Sequence, residues 1–279
     1  MNTLVTFNPV TVGPGDSLAH VLQLMDEYEM HHVPVVGEDF QLLGILSDTD
    51  ISRYMTGEPS SVDGTSSDDF YGLPAAGALM TRDVASVDAE FAPLVALQAM
   101  LKLHVHSIPV TSQGRLRGII TSRDFLREFA ELAPRTARCP VAKIMSPWRP
   151  TIRHDAAPQE ALDLLERHES CYLGVIDGVR ALGVLSQRQL GGARRLDLVG
   201  AEDSLGNLMI ENTSDTVGSL LREPHAVIEP LRTLADATAL LAAGKADGLA
   251  VVEPAGKVVG MLTVTDLLRA MSLELARHA

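Results

Sequence analysis

The chain has 279 residues, 46% of them hydrophobic, which is enough to bury a substantial core, and its 36 acidic against 23 basic residues give a formal charge of −13. An acidic surface of that size repels a polyanion, so nucleic acid is not an expected partner, although most of the bases are arginine and a local anion site stays open. No apolar run reaches membrane-spanning length, the start "MNTLVTFNPVTVGPGDS" lacks the features of a secretory leader, and Cys139 and Cys171 form no CxxC, so a cytoplasmic chain with ordinary buried or half-buried thiols and no membrane partner is expected.

Taken in chain order, the predicted elements recur four times. A short β-like piece, "PVTV" (9–12), leads to a helix with Asp16 as a candidate cap, an apolar strand "VPVV" (33–36) and the strand-to-helix junction "LGILSDTD" (43–50). Residues 57–76, rich in Gly, Ser and Asp, read as an exposed loop. The second copy runs "VASV" (84–87), a helix whose Leu94, Leu97, Leu101 and Val105 share one face, "SIPV" (107–110) and "RGIITSRD" (117–124). After the break "LAPRTARCP" (132–140) comes "PTIR" (150–153), a helix with Asp155 near its start, "LGVI" (173–176) and "LGVLSQRQ" (182–189). An irregular stretch, 191–219, precedes "HAVI" (225–228), a helix with Thr233 at its start, "LAVV" (249–252) and "VGMLTVTD" (259–266). Gly44 to Gly183 is 139 residues and Gly118 to Gly260 is 142, so the chain also reads as a duplicated pair of repeats. Each unit is β-α-β-β-α, about 60 residues long, and too thin to bury both faces of its sheet without a partner.

The repeated Ser/Thr-x-x-Asp has two readings. In a capping box the hydroxyl accepts from an early helix N–H and the acid reaches back to the cap's own N–H. Alternatively, the free N–H groups and hydroxyl hold a phosphate while the carboxylate accepts from a ribose diol. Glycine weakens a strand interior, so Gly44, Gly118, Gly183 and Gly260 imply that a backbone or a flat ligand approaches closely there. Pro34 and Pro109 remove a ladder donor and imply an edge or an opening.

The combination "HHVPVV…LLGILSDTDI" and "HSIPVT…LRGIITSRDF", with the openings "MTRDVASV" (80–87) and "MSPWRPTI" (145–152), resembles the cystathionine-β-synthase (CBS) domain family over essentially the whole chain. The resemblance implies an α/β repeat fold of four CBS units packed as two pseudo-two-fold Bateman modules: repeats 1–56 and 77–133 in the first (1–133), 141–192 and 218–279 in the second (141–279). It also implies clefts between paired repeats that bind AMP, ADP, ATP or S-adenosylmethionine as a regulatory ligand, with no required cofactor. A homodimer and a regulated protein partner of unknown identity are further implications, and the disc that paired modules commonly form would arise within one chain, between two, or both.

Carried across residue by residue, the family pattern gives Thr121 to the phosphate and Asp124 to the ribose, with Arg123, Arg82 or His106 beside the phosphate charge. The backbone of Thr81, Arg82, Asp83 and Val84 and the segment Ser107, Ile108 and Pro109 would border the adenine. The fourth copy keeps Thr263 and Asp266 but lacks the proline, with Arg222 and His225 near its opening; the first keeps Ser47 and Asp50, with Asp48 an unfavourable neighbour for a polyphosphate. In the third, Gln189 replaces the acid, which suits a capping box better than a diol, so at most a degenerate site is expected.

His31, His32, His104 and His106 have no acidic or cysteine partner at a coordination spacing, so no metal site is expected. Trp148 is read as a core or interface residue in preference to a ring stacked on a base, Met25, Met80, Met100 and Met145 as packing, and Arg149, Arg153, Arg194 and Arg195 as solvated. Nucleophile elbow, Walker, HExxH and GxGxxG motifs are absent and no enzymatic activity is expected. The competing reading is a scaffold of packed repeats that binds no ligand.

Overall fold

The computed structural model describes residues 3–55, 73–148, 150–192, 216–221, 227–244 and 246–277. Arg149, Arg194, Arg195, Arg222, His225, the segment 205–210 and most of the loop 57–76 lie outside the described residues.

Repeat one holds β1 (Thr6–Phe7), α1 (Leu18–Glu27), β2 (His32–Val36), β3 (Leu42–Ser47) and α2 (Asp48–Met55). Repeat two holds α3 (Ala76–Leu79), β4 (Val87–Asp88), α4 (Pro93–Leu103), β5 (Ser107–Ser112), β6 (Arg115–Thr121) and α5 (Ser122–Arg127). Two short helices, α6 (Phe129–Leu132) and α7 (Pro134–Ala137), lead to repeat three with β7 (Thr151–Arg153), α8 (Pro158–Arg167), β8 (Tyr172–Asp177), β9 (Arg180–Ser186) and α9 (Gln187–Gly192). Repeat four has β10 (Val227–Ile228), α10 (Leu234–Gly244), β11 (Gly248–Val252), β12 (Val258–Thr263) and α11 (Val264–Leu275).

Every repeat contains the same antiparallel hairpin, and each hairpin shifts register at the same place, after Val35, Val110, Val175 or Val251. Those four valines face Gly44, Gly118, Gly183 and Gly260. A short parallel strand flanks the hairpin in repeats two, three and four, and Val12 makes the corresponding single bridge to Val35 in repeat one. Pro109 precedes the two residues of β5 that β4 covers, so its missing donor interrupts no β4–β5 ladder.

The opening segments of repeats one, two and three dock on their partners' glycine strands. β1 pairs with β6 of repeat two, Thr81 bridges Ile45 of repeat one, and Ser146 bridges Met261 of repeat four. A Cβ on Gly118 would stand 2.8 Å from the Thr6 carbonyl oxygen, on Gly44 2.7 Å from that of Thr81, and on Gly260 2.7 Å from that of Ser146. For Gly183 the neighbour is Leu221 at 2.9 Å. In three of the four, then, a passing backbone of the paired repeat requires the glycine, and no flat ligand is needed to explain it.

The two modules meet through their helices within the one chain: α2 against α9 joins repeats one and three, and α10 and α11 against α4 and α5 join repeats two and four. The largest core runs through that second contact, from Leu97, Phe125 and Phe129 to Leu241, Leu267 and Met271.

Several local expectations need correction. Asp16 is not the cap of α1; Ser17 is, accepting from the His20 N–H at 3.2 Å, while Asp16 accepts from the Gly13 N–H. Asp155 stands two residues before Ala157, the cap of α8, and instead pairs with Arg153, whose hydrogen bonds hold its carboxyl at about 2. The buried face of α4 is Ala96, Leu97 and Met100; the helix ends at His104 in the left-handed region, which leaves Val105 exposed. Leu73, Ala75 and Ala76, at the end of the expected loop, are buried, and the break 132–140 folds as α7, with Ala133 and Ala137 inside the main core. Val217, from the irregular stretch, is buried in repeat three's core, and Cys171 is exposed.

Thr233 does cap α10, closing a box with Asp236, and the hydroxyl and N–H of Thr233 hold the Asp236 carboxyl below its ordinary value. The sign follows from a depressed folded-state pKa: this contribution is complete above the unfolded carboxylate's value of about 4 and is lost as the pH falls below it. Asp236→Asn should therefore narrow its stability difference from wild type as acid unfolding is approached, measured by denaturant titrations across that range.

Candidate ligand clefts

Each strand-to-helix junction is a closed hydrogen-bonded box. Asp124 Oδ2 accepts from the Thr121 N–H at 2.7 Å and from Thr121 Oγ1 at 2.6 Å, and the Asp124 N–H donates back to Thr121 Oγ1 at 3.4 Å. Ser47 with Asp50 and Thr263 with Asp266 repeat the pattern. Gln189 Oε1 does the same for the Ser186 N–H at 3.0 Å, so the amide substitutes for the acid as a cap. Capping thus accounts for one carboxylate oxygen in each of repeats one, two and four. Thr121→Ala should cost about 1 kcal/mol of stability by loss of the cap, measured by denaturant unfolding.

The second oxygen of each acid differs. Asp50 Oδ1 accepts from the exposed Thr81 hydroxyl at 3.3 Å, Asp266 Oδ1 from Ser146 Oγ at 2.9 Å, and Asp124 Oδ1 pairs with exposed Arg127 at 2.9 Å. Because the openings are exchanged, Thr81 belongs with Ser47 and Asp50 of repeat one, not with Thr121 and Asp124 of its own repeat. The corresponding hydroxyl at repeat two's glycine strand is Thr6, aligned with Ile119 as Thr81 is with Ile45. Thr6 and Ser146 were not expected at the clefts; the recurring hydroxyl in "VTF", "MTR" and "MSP" is the sequence signal that marks them.

Two of the basic groups expected at a phosphate, Arg82 and Arg123, have partners elsewhere. Arg82 donates to the Gly77 carbonyl at 2.9 Å, and Arg123 lies 3.9 Å from the carboxylate of Asp247 in repeat four. His106 accepts the Ser122 N–H on its backbone carbonyl at 2.9 Å, and Ser107, Ile108 and Pro109 are buried along β5. Asp48 Oδ2 lies 3.0 Å from His31 Nδ1.

Asp83 and Val84 line an open cavity of about 220 Å³ between the two repeats of the first module, with Leu43 and Gly44 of β3, Ser86, and Thr111 and Gly114 at the β5–β6 turn. Thr121, Arg123 and Asp124 are not among its lining residues: Gly114 precedes β6 and Thr121 ends it, so cavity and junction occupy opposite ends of that strand.

In the second module Thr263 and Asp266 are 4% and 8% exposed, as buried as Asp124 of the first at 5%. Trp148 packs with Tyr172, Val184 and Met261, and the Tyr172 hydroxyl meets Thr265 Oγ1 at 3.0 Å. Trp148 is therefore an interface residue between repeats three and four. Among the described residues no group of three or more His, Cys, Asp or Glu side chains gathers to hold a metal, and no helix is long and apolar enough to cross a membrane.

A family model, "CBS domain", matches residues 1–57, 76–131 and 217–273, which correspond to repeats one, two and four. Hypoxic response protein 1 of Mycobacterium tuberculosis is 31% identical over 122 residues, 44% of this chain and 79% of the relative. The CBS domain-containing protein YhcV of Bacillus subtilis is 32% identical over 117 residues, 40% of this chain and 82% of its own length. Over the full architecture, the crystal structure of a proposed archaeal γ-AMPK homologue from Methanocaldococcus jannaschii superposes with a TM-score of 0.75 at 17% identity, covering 95% of this chain and 97% of the other. Repeat three, outside the matched segments, has the same hairpin, parallel strand and capping box as its neighbours. With its exchanged openings, bulged hairpins and capped junctions, the chain belongs to the CBS-domain family.

Proposed function

We propose that this chain is a non-catalytic regulatory sensor whose first module binds an adenosyl ligand, AMP, ADP, ATP or S-adenosylmethionine, between repeats one and two, and passes occupancy to a partner protein. The resemblance to the CBS-domain family supports this ligand class. The observation that carries the location is the state of Asp50: one oxygen caps α2, and the other is held by an exposed hydroxyl at 3.3 Å, a weak bond that a ribose hydroxyl can replace. The cavity against Asp83 and Val84 lies between the same two repeats, at the Leu42–Gly44 end of β3, while Ser47 and Asp50 lie at and beyond the other end of that strand and do not line it. The ligand would face Thr81, Asp83 and Val84 and the Ser47–Asp50 junction, or by pseudo-symmetry the Thr121–Asp124 junction with Ser107 to Pro109. Because the openings are exchanged, a ligand on either junction touches both repeats, and it changes their arrangement to the extent that it prefers one arrangement over another. Assembly into a homodimer belongs to the same proposal.

Calorimetry of the full chain with each of the four ligands tests this. Asp50→Asn and Asp124→Asn keep a capping side chain but weaken a charged acceptor, and at the occupied junction the loss should be roughly 10- to 100-fold in affinity. A folded wild type that binds none of the four supports the scaffold reading, which the capping boxes at all four junctions favour.

A further inference from the structure

The hairpin registers allow the four clefts to be compared position by position. In repeat two Ser107 faces Thr121 and Pro109 faces Ile119; in repeat three Tyr172 faces Ser186 and Gly174 faces Val184. Gly174 therefore stands where Pro109 stands, and Ser186 where Thr121 stands.

Both positions are filled by the chain itself. A Cβ on Gly174 would lie 2.5 Å from Cζ2 and 2.7 Å from Cη2 of Trp148, so the indole occupies the space that a proline ring would need. At the other end Ser186 Oγ donates to Asp247 Oδ2 at 2.6 Å, and Asp247, from repeat four, is buried. A planar heteroaromatic ring and an anion are thus placed against the segments that, in our reading of the first module, receive a base and a phosphate.

We infer that the third cleft carries a built-in surrogate ligand: the Trp148 indole in the base position and the Asp247 carboxylate in the phosphate position. The inference deepens the proposed function and rests on it for the correspondence of positions. Gln189 in place of the acid fits this arrangement, because a cleft with no ribose needs a cap and no diol acceptor. So does the absence of proline, because only glycine leaves the indole its place. The carboxylate of Asp247 also lies 3.9 Å from Arg123 of repeat two, so the filled cleft is tied to the junction carrying Thr121 and Asp124. The third cleft is held closed from within.

The test uses the full chain and free indole as probe. Trp148→Gly removes the ring and leaves a cavity of its shape; millimolar indole should raise that variant's melting midpoint by several degrees and leave the wild type unmoved. A folded Trp148→Gly protein that indole does not stabilise overturns the inference, whether or not the first module binds a nucleotide. Should the variant not fold, wild-type fluorescence decides, because Trp148 is the only tryptophan. Its emission maximum should stay fixed while AMP or ATP is titrated to saturation; a red shift with nucleotide means the ring is displaced from the cleft and contradicts the inference.

Discussion

Phe125→Ala is expected to lower the stability of the whole chain by about 3–5 kcal/mol, the range for truncating a fully buried aromatic. The ring has no exposure and lies on α5, whose neighbours include α10 and α11 of repeat four. Its core runs without a break from Leu97 and Ile108 of repeat two to Leu249 and Leu267 of repeat four. The loss should therefore appear in both repeats together, as one denaturant transition moving to lower concentration. If the modules were independent bodies, only signals from residues 1–133 would shift. Leu97→Ala, on the other side of the same core, should act in the same direction with about 2–5 kcal/mol.

Gly118→Val should cost about 1–3 kcal/mol or more, because it overfills a place where a backbone passes. The first added carbon would lie 2.4 Å from Val5 Cγ1 and 2.8 Å from the Thr6 carbonyl oxygen. Val5 can rotate away; the Thr6 carbonyl is fixed by the β1–β6 pairing. Release of β1 would expose the Asn8 N–H, which donates to the Arg117 carbonyl at 3.2 Å, so hydrogen exchange at Asn8 should accelerate selectively. Gly15 provides the control: nothing stands within 4 Å of a Cβ there and its φ is ordinary, so Gly15→Ala should be nearly neutral.

The parts of this fold that were legible in the sequence are the ones set by local chemistry. A hydroxyl followed three residues later by an acid writes a capping box into the chain, and Gln189 predicts the same box; both boxes are found. The recurring glycine announced a close approach, and the structure supplies the approaching group, a carbonyl from the paired repeat at Gly44, Gly118 and Gly260 and the Leu221 side chain at Gly183. What could not be read was which repeat that group comes from. Thr81 lies in repeat two by sequence and beside Asp50 of repeat one in space, because β pairing between openings and glycine strands is non-local. The same limit hid Asp247, 61 positions from the Ser186 it receives, and Glu274, buried on α11, which accepts the Arg135 and Thr136 N–H groups of α7 and so fastens the segment between the modules. Helix starts were misread where two candidate caps adjoin, as at Asp16 and Ser17, since both residue types favour a cap and only the turn of the chain selects one.

A crystal grown with saturating AMP addresses the central claim in one measurement. The account predicts a nucleotide between repeats one and two, with its ribose on the Asp50 or Asp124 carboxylate and the Trp148 ring unmoved. A nucleotide lodged against Gly174 with that ring swung out, or a first module that stays unliganded at saturation, would contradict it.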